Sequence, residues 1–209
     1  MNQLFLFPMM FSMIFPMILM GTSVGADEGV SLRVSALSKD AYVAQTDAIH
    51  CIDWVEDFVL CPLTVSNNNI EYSKFSTISN EVLEYKMTAD TAAHVTAARY
   101  QKSNEKETSY WATGMMDGFD AAGWLHPQKL QEIAGGPVLV AQPTRGMFCF
   151  WLKSDGDLHK NMAVGIKEVY NSSKEPISSK VYYWTGDKWM VWGEAVSSQQ
   201  DPPTSTSTD

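Results

Sequence analysis

The chain has 209 residues and a formal net charge of −9, with 24 acidic against 15 basic side chains. That balance argues against nucleic-acid binding and against attachment to anionic membranes. It calls for no cationic partner, because acidity most often serves solubility, and the length suffices for one domain with its own core.

The first 26 residues carry no charged side chain, and Leu4 to Met20 are almost wholly apolar. Small residues follow, then the first acids, Asp27 and Glu28. Val24 and Ala26 occupy the positions that a signal peptidase reads, so cleavage after Ala26 is expected, although Met1-Asn2-Gln3 offers no basic side chain. The rival reading is a membrane anchor, since the apolar run reaches the lower edge of bilayer-spanning length. Pro8, Pro16 and the small residues that end the run oppose it, and no stable membrane insertion is expected after cleavage. The remainder is expected to be periplasmic or secreted. It divides into a single domain over residues 27–196 and a polar, Pro-containing disordered tail over residues 197–209.

Residues 30–37 alternate loosely and predict an edge strand. Cys51 and Cys61 are the candidate disulfide of an oxidising compartment, with Cys149 left as a buried thiol in the apolar run MFCFWL. The segment between them reads two ways. A hairpin centred on Glu56 brings the two Cys face to face, whereas a helix holds them about 15 Å apart, beyond any disulfide. Residues 63–79 predict two short strands around an Asn-rich turn. Residues 80–102 stay open: EVLEYKMT suits a strand, and the Ala-rich DTAAHVTAARYQ suits a helix. Residues 103–109 read as a solvated loop.

The second half is clearer. Tyr110 to Gly114 predicts a strand leading to a turn at Asp117-Gly118. Pro127 opens a short helix with Leu130 and Ile133 on its apolar edge, and Gly135-Gly136 end it. Residues 138–142 and 147–152 are apolar runs that read as paired strands buried on both faces. Residues 157–171 form a helix with Leu158, Met162, Ile166, Val169 and Tyr170 on one stripe, and Asp155 and Asp157 at its positive end. A last hairpin pairs residues 180–184 with 189–192, placing Tyr182 and Trp184 on one face and Tyr183 on the other. Together these elements predict an α+β fold: one domain with a mixed sheet, a long amphipathic helix packed on it, and hairpins at both ends.

No compact catalytic motif is present: there is no HExxH, GxSxG, Walker A loop, GxGxxG or CxxC. The four His stand apart in sequence with no i, i+4 pair, and nothing calls for a metal or cofactor. Ser103-x-x-Lys106 matches the spacing of serine–lysine enzymes, but it lies in a polar stretch without a partner motif. The polar residues that stand out are Asp117, Asp120 and Arg145, which read equally as turn, cap and solvated turn residues. Of the seven Trp, Trp151 and one of each hairpin pair read as core, leaving Trp184, Trp189 or Trp192 as partly exposed binding candidates.

The residues DGFDAAGWLHPQKL, GGPVLVAQPTRGMFCFW, MAVGIKEVYNSS and PISSKVYYWTGDKWMVW resemble the C-terminal part of the bacterial YtpQ-like proteins, a domain of unknown function. This resemblance spans about residues 117–192. It implies an α+β module of bacterial origin and no activity or cofactor.

The functional expectation is an exported binding or accessory protein of the envelope, such as an inhibitor, an immunity-type protein or a complex subunit. Its partner is an unknown protein or envelope polymer. The alternative is an envelope hydrolase with a dispersed active site; a structural envelope protein is the third reading. Cleavage after Ala26 makes Asp27 the first residue of the exported protein. Intact mass spectrometry checks this, and a mass that retains residues 1–26 refutes it.

Overall fold

The computed structural model describes residues 31–44, 49–66, 69–73, 78–105, 108–154 and 156–192. The expected signal segment, the expected disordered tail, Asp155 and the Asp157 side chain lie outside that set. Neither the leader nor the caps expected for the long helix are therefore part of this description.

Among the described residues two antiparallel sheets and four α-helices form the α+β fold. The first sheet is built on β3 (Phe58–Ser66), with β1 (Arg33–Ser38) on one side and β2 (Ile52–Asp53) and β4 (Asn69–Tyr72) sharing the other. The second has the order β10 (Trp189–Val191), β9 (Tyr182–Trp184), β7 (Val138–Thr144), β8 (Met147–Leu152), β6 (Thr108–Thr113), β5 (Gln101–Glu105). The expected mixed sheet is thus two sheets, and each described strand pairing is antiparallel.

Alternation along the strands sorts the side chains into layers. Val138, Val140, Phe148 and Phe150 face the main core, where they meet Val34, Ala36, Phe58 and Leu60 of the first sheet. Leu139, Ala141, Cys149 and Trp151 face the other way, onto Leu158 and Ile166 of α4 (Gly156–Ser172). The expected helix stripe is therefore the packed one, with Met162 half-buried beside it. Cys149 is fully buried, and burial pushes its thiol up to about 12. On the outer face of the first sheet Leu37, Ile49, Val59 and the two remaining Cys make a small third cluster under Tyr42 of α1 (Lys39–Val43).

The hairpin reading of residues 51–61 is the observed one. Ile52 pairs with Leu60 and Asp53 with Val59, which centres the turn on Glu56 and sets Cys51 opposite Cys61 in a disulfide. β3 then pairs with β4 across residues 67–68, as the Asn-rich turn suggests. β1 is an edge strand by order yet is mostly buried. Its Val34 N–H donates to the Gly118 carbonyl, and the preceding Leu32 N–H donates to Asp90, so a loop and a helix cover the open edge.

One segment left open by the sequence is resolved, and another differs from expectation. The strand-like EVLEYKMT forms the α-helix, α2 (Asn80–Thr91), whereas the Ala-rich stretch after it makes two short 3-10 turns at Ala92–His94 and Ala97–Arg99. Ser79 caps the helix by accepting from the Val82 N–H, and Leu83, Met87 and Thr91 recur at i, i+4 and i+8 as its buried face. Burial of that face outweighs alanine's propensity. The expected loop over residues 103–109 is instead the β5–β6 hairpin, with Ser103 opposite Tyr110 and Lys106 outside the described residues. Its polar residues lie at the free edge of the sheet, where charge and hydroxyls are compatible with strand pairing.

α3 (Pro127–Ala134) has Pro at its first turn and ends on Gly135 at φ 82°. The 3-10 turn Asp120–Leu125 precedes it and is buried throughout. Among the described residues no helix is long and apolar enough to cross a membrane.

The fold places Cys149 on the opposite face of the second sheet from the disulfide cluster, out of reach of exchange. Thiol titration of the unfolded, non-reduced protein should find one free thiol. Cys51→Ser should lower stability by about 2–3 kcal/mol through loss of loop closure; three free thiols would contradict the pairing.

Candidate functional site

The chain contains three arginines, Arg33, Arg99 and Arg145, against twelve lysines. All three gather around one loop and turn, residues 115–121. Arg99 donates to both oxygens of Asp117, at 2.9 and 2.5 Å, and its Nη2 lies 3.5 Å from Asp120 Oδ1. Its side chain is 8% exposed and that of Asp120 is 6% exposed, so this is a buried pair. Arg33 donates to the Asp117 carbonyl. The Arg33 and Arg99 guanidiniums lie over the Phe119 ring, and His94 stacks on the same ring with centroids 3.7 Å apart.

The loop takes its shape from two left-handed residues, Met116 at φ 52° and Gly118 at φ 82°. Gly118 suits that region, and a Cβ there would press on Arg33 and Leu63. Met116 is not glycine and is held there by its neighbours. Asp117 accepts from the Phe119 N–H at 3.1 Å, and Asp120 accepts from the Met115 N–H at 3.1 Å and from Thr113 at 3.4 Å.

The two carboxylates are tuned in opposite directions. Burial opposes the charge of Asp117, but hydrogen bonds from Arg99 and the Phe119 N–H outweigh it and hold the group below the usual carboxylate value. Burial pushes Asp120 up, the Asp117 charge adds to that, and Arg99 offsets only part of it.

Arg145 reaches the same place from the β7–β8 turn. Its guanidinium lies 5.3 Å above the Tyr72 ring and 3.6 Å from the exposed Glu175 carboxylate. Between Arg145 and Asp120 lies a cavity of about 160 Å³. Val34, Leu63, Ile70, Met116 and Ala121 give it apolar walls, and Ser35 adds a hydroxyl. Asp120 and Arg145 thus line one cleft, and Asp117 stands behind it on Arg99.

The three candidate tryptophans lie elsewhere, on the β9–β10 edge. Trp189 is core: its indole N–H donates to the Trp124 carbonyl at 2.9 Å. Trp184 is half-buried against Trp189 on that side. Trp192 packs on the α4 side beside Tyr183 and His159, with the Lys153 ammonium over its ring at 4.8 Å. Tyr182 and Trp184 therefore share one face and Tyr183 takes the other, as the alternation requires.

Sequence reasoning missed a second polar cluster. Asp57, at the tip of the β2–β3 hairpin, accepts from Ser178 at 2.6 Å, Lys180 at 3.0 Å and Tyr182 at 3.1 Å, and Lys180 also reaches Glu56 at 2.9 Å. It borders a polar cavity of about 290 Å³. Burial opposes the Asp57 charge, but the donors from Ser178, Lys180 and Tyr182 prevail and keep it below the ordinary value. These partners are more than 120 residues apart in sequence, so no local pattern announces them. For Arg99 a signal existed: the scarcity of arginine in a lysine-rich basic set.

Among the described residues no group of three or more His, Cys, Asp or Glu side chains is placed to hold a metal ion. No protein-family model, no curated protein and no solved structure matches the chain.

His126 stands at the start of α3, buried, with Nε2 2.9 Å from Thr91 Oγ1. The Thr91 hydroxyl donates to the Met87 carbonyl at 2.7 Å, and the imidazole has a further hydrogen-bond partner in the Thr88 backbone. Burial, helped by the Lys129 charge, pulls the imidazole from 6.5 to about 4. The unfolded chain therefore takes up a proton between those values and the folded one does not, so stability rises with pH across that window. Acidification from pH 6.5 to 4 should remove on the order of 3 kcal/mol through this group. Denaturant titrations should show that His126→Gln loses this part of the pH dependence; an unchanged profile would contradict it.

Proposed function

We propose that this chain is an exported binding or accessory domain of the bacterial envelope, of the inhibitor, immunity-type or complex-subunit kind. It engages a protein or envelope polymer and does not turn over a substrate. The uncharged apolar leader and the Cys51–Cys61 disulfide support an oxidising, extracytoplasmic site of action.

The state of the polar groups in the two cavities carries the preference for binding over hydrolysis. Asp120 Oδ1 accepts from the Met115 N–H at 3.1 Å and lies 3.4 and 3.5 Å from the Thr113 hydroxyl and Arg99, so this oxygen serves to hold the loop. Ser178 donates to Asp57, but Lys180 and Tyr182 also donate to that carboxylate, and a carboxylate held below its ordinary value is a poor general base. Arg145, in contrast, is presented at a cleft, as a recognition residue is. The half-buried Trp184 and Trp192 offer aromatic anchors at a second place.

Capture of the tagged exported protein with its partners from its own envelope, followed by mass spectrometry, tests the reading. The wild type should retain a defined partner, and Arg145→Met or Trp184→Ala should weaken retention while leaving the fold intact. Trp189→Ala serves as the core control and should cost about 3–5 kcal/mol of stability. Release of soluble fragments from purified envelope polymer by the wild type, abolished in Asp120→Asn, would overturn the proposal in favour of a hydrolase.

A further inference from the structure

We infer that the Arg145 cleft recognises the C-terminal residue of a peptide, with the α-carboxylate on the guanidinium and an apolar side chain in the cavity. This deepens the binding reading above and rests on it.

The guanidinium is ordered without being consumed. Its Cζ lies 5.3 Å from the Tyr72 ring centroid in a cation–π contact, and its nearest carboxylate oxygen, on Glu175, stands 3.6 Å away, outside hydrogen-bond distance. No side-chain hydrogen bond from Arg145 occurs among the described residues. A planar fork whose one charge partner, the exposed Glu175, lies beyond hydrogen-bond distance can take one carboxylate in bidentate geometry at the mouth of a cleft.

The charge of the site selects a monoanion. Among the described residues Arg145 is the sole basic side chain lining the cavity; Asp120 lines it too, and the exposed Glu175 carboxylate stands 3.6 Å from the guanidinium. A phosphate dianion would meet one cation that already faces two acids, whereas a carboxylate brings a single negative charge and is repelled less.

The cavity volume selects the rest of the ligand. About 160 Å³ walled by Leu63, Ile70, Met116 and Ala121 is the size that takes one compact apolar group, as engineered cavities near 150 Å³ take benzene. Met116 is 67% exposed, so a flexible thioether forms the lip and adapts to the side chain that enters. β4 borders the cavity through Ile70, and among the described residues it pairs with β3 alone, so an extended backbone can lie along its other side.

Titration of the exported protein with N-acetyl-Gly-Gly-Leu tests the inference, using the methyl NMR signals of Met115 and Met116 as the local readout. The free acid should shift the Met116 methyl signal and bind about tenfold or more tightly than the C-terminal amide. N-acetyl-Gly-Gly-Gly should lose most of that affinity. Arg145→Met should reduce the acid to the level of the amide, and Arg145→Lys, which keeps the charge and loses the fork, should fall between. Equal binding of acid and amide overturns the inference, as does an unmoved Met116 signal. If envelope capture persists in Arg145→Met but fails in Trp184→Ala, the binding reading stands and this inference falls.

Discussion

The indole of Trp124 is fully buried, and its N–H donates to the side-chain oxygen of Gln142 at 2.6 Å. A buried indole N–H without an acceptor costs roughly 1–3 kcal/mol, so a polar side chain must stand in β7, a strand that is otherwise mostly apolar. Gln142 can stand there because its other groups are used. Its amide donates to the Arg145 carbonyl, and its backbone carbonyl accepts from the Ser178 N–H. Around Trp124, Phe58 comes from the first sheet, and Phe148, Tyr182 and Trp189 from the second, all within 5.0–5.7 Å. Gly123 lies so close to the Phe148 ring that a Cβ would overlap it. One 3-10 turn therefore joins both sheets, and one hydrogen bond from it fixes the turn that carries Arg145.

The same six residues begin at Asp120, so the packing that seats Trp124 also positions the buried wall of the cleft. A buried ion pair is weak evidence for stability, because desolvation offsets most of the attraction. What Arg99 supplies here is placement. By gripping Asp117 and Asp120 together it holds the loop that presents Met116, and Phe119 between them accepts cations on its face. Core and cleft are two ends of one short segment.

This division explains what the sequence made legible. The β7–β8 and β9–β10 hairpins, α3 and α4 follow from periodicity, turn residues and short spacings, all of which act within about a dozen residues, whereas the 51–61 segment reads equally as a helix because its apolar residues also fit a helical period. α2 was ambiguous because its buried face has only three members and the exposed Val82 and Tyr85 blur the helical period. The β5–β6 hairpin looked like a loop because an edge strand needs no apolar alternation to pair. Asp117, Asp120 and Arg145 were visible as polar residues beside turns, but the link between them was not. It runs through Arg99, from a stretch whose alanines suggested only a helix. Asp57 was invisible for the same reason, since its partners come from the far end of the chain.

The 51–61 hairpin is held at both ends. The disulfide closes its base, and Asp57 ties its tip to Ser178, Lys180 and Tyr182 beside the second sheet. β3 runs out of this clamped hairpin, and its Leu63, paired opposite Tyr72 of β4, forms one wall of the cleft. That wall inherits the rigidity of the clamp. The guanidinium of Arg145 lies over Tyr72, and the Gln142 amide holds the backbone that carries it. The opposite lip is different in kind: Met115 and Met116 are both more than 60% exposed, and their side chains have several rotatable bonds and few packed neighbours. An occupant of the cleft therefore meets a charge set over Tyr72 and a fixed sheet wall, and the thioether lip adjusts to its shape.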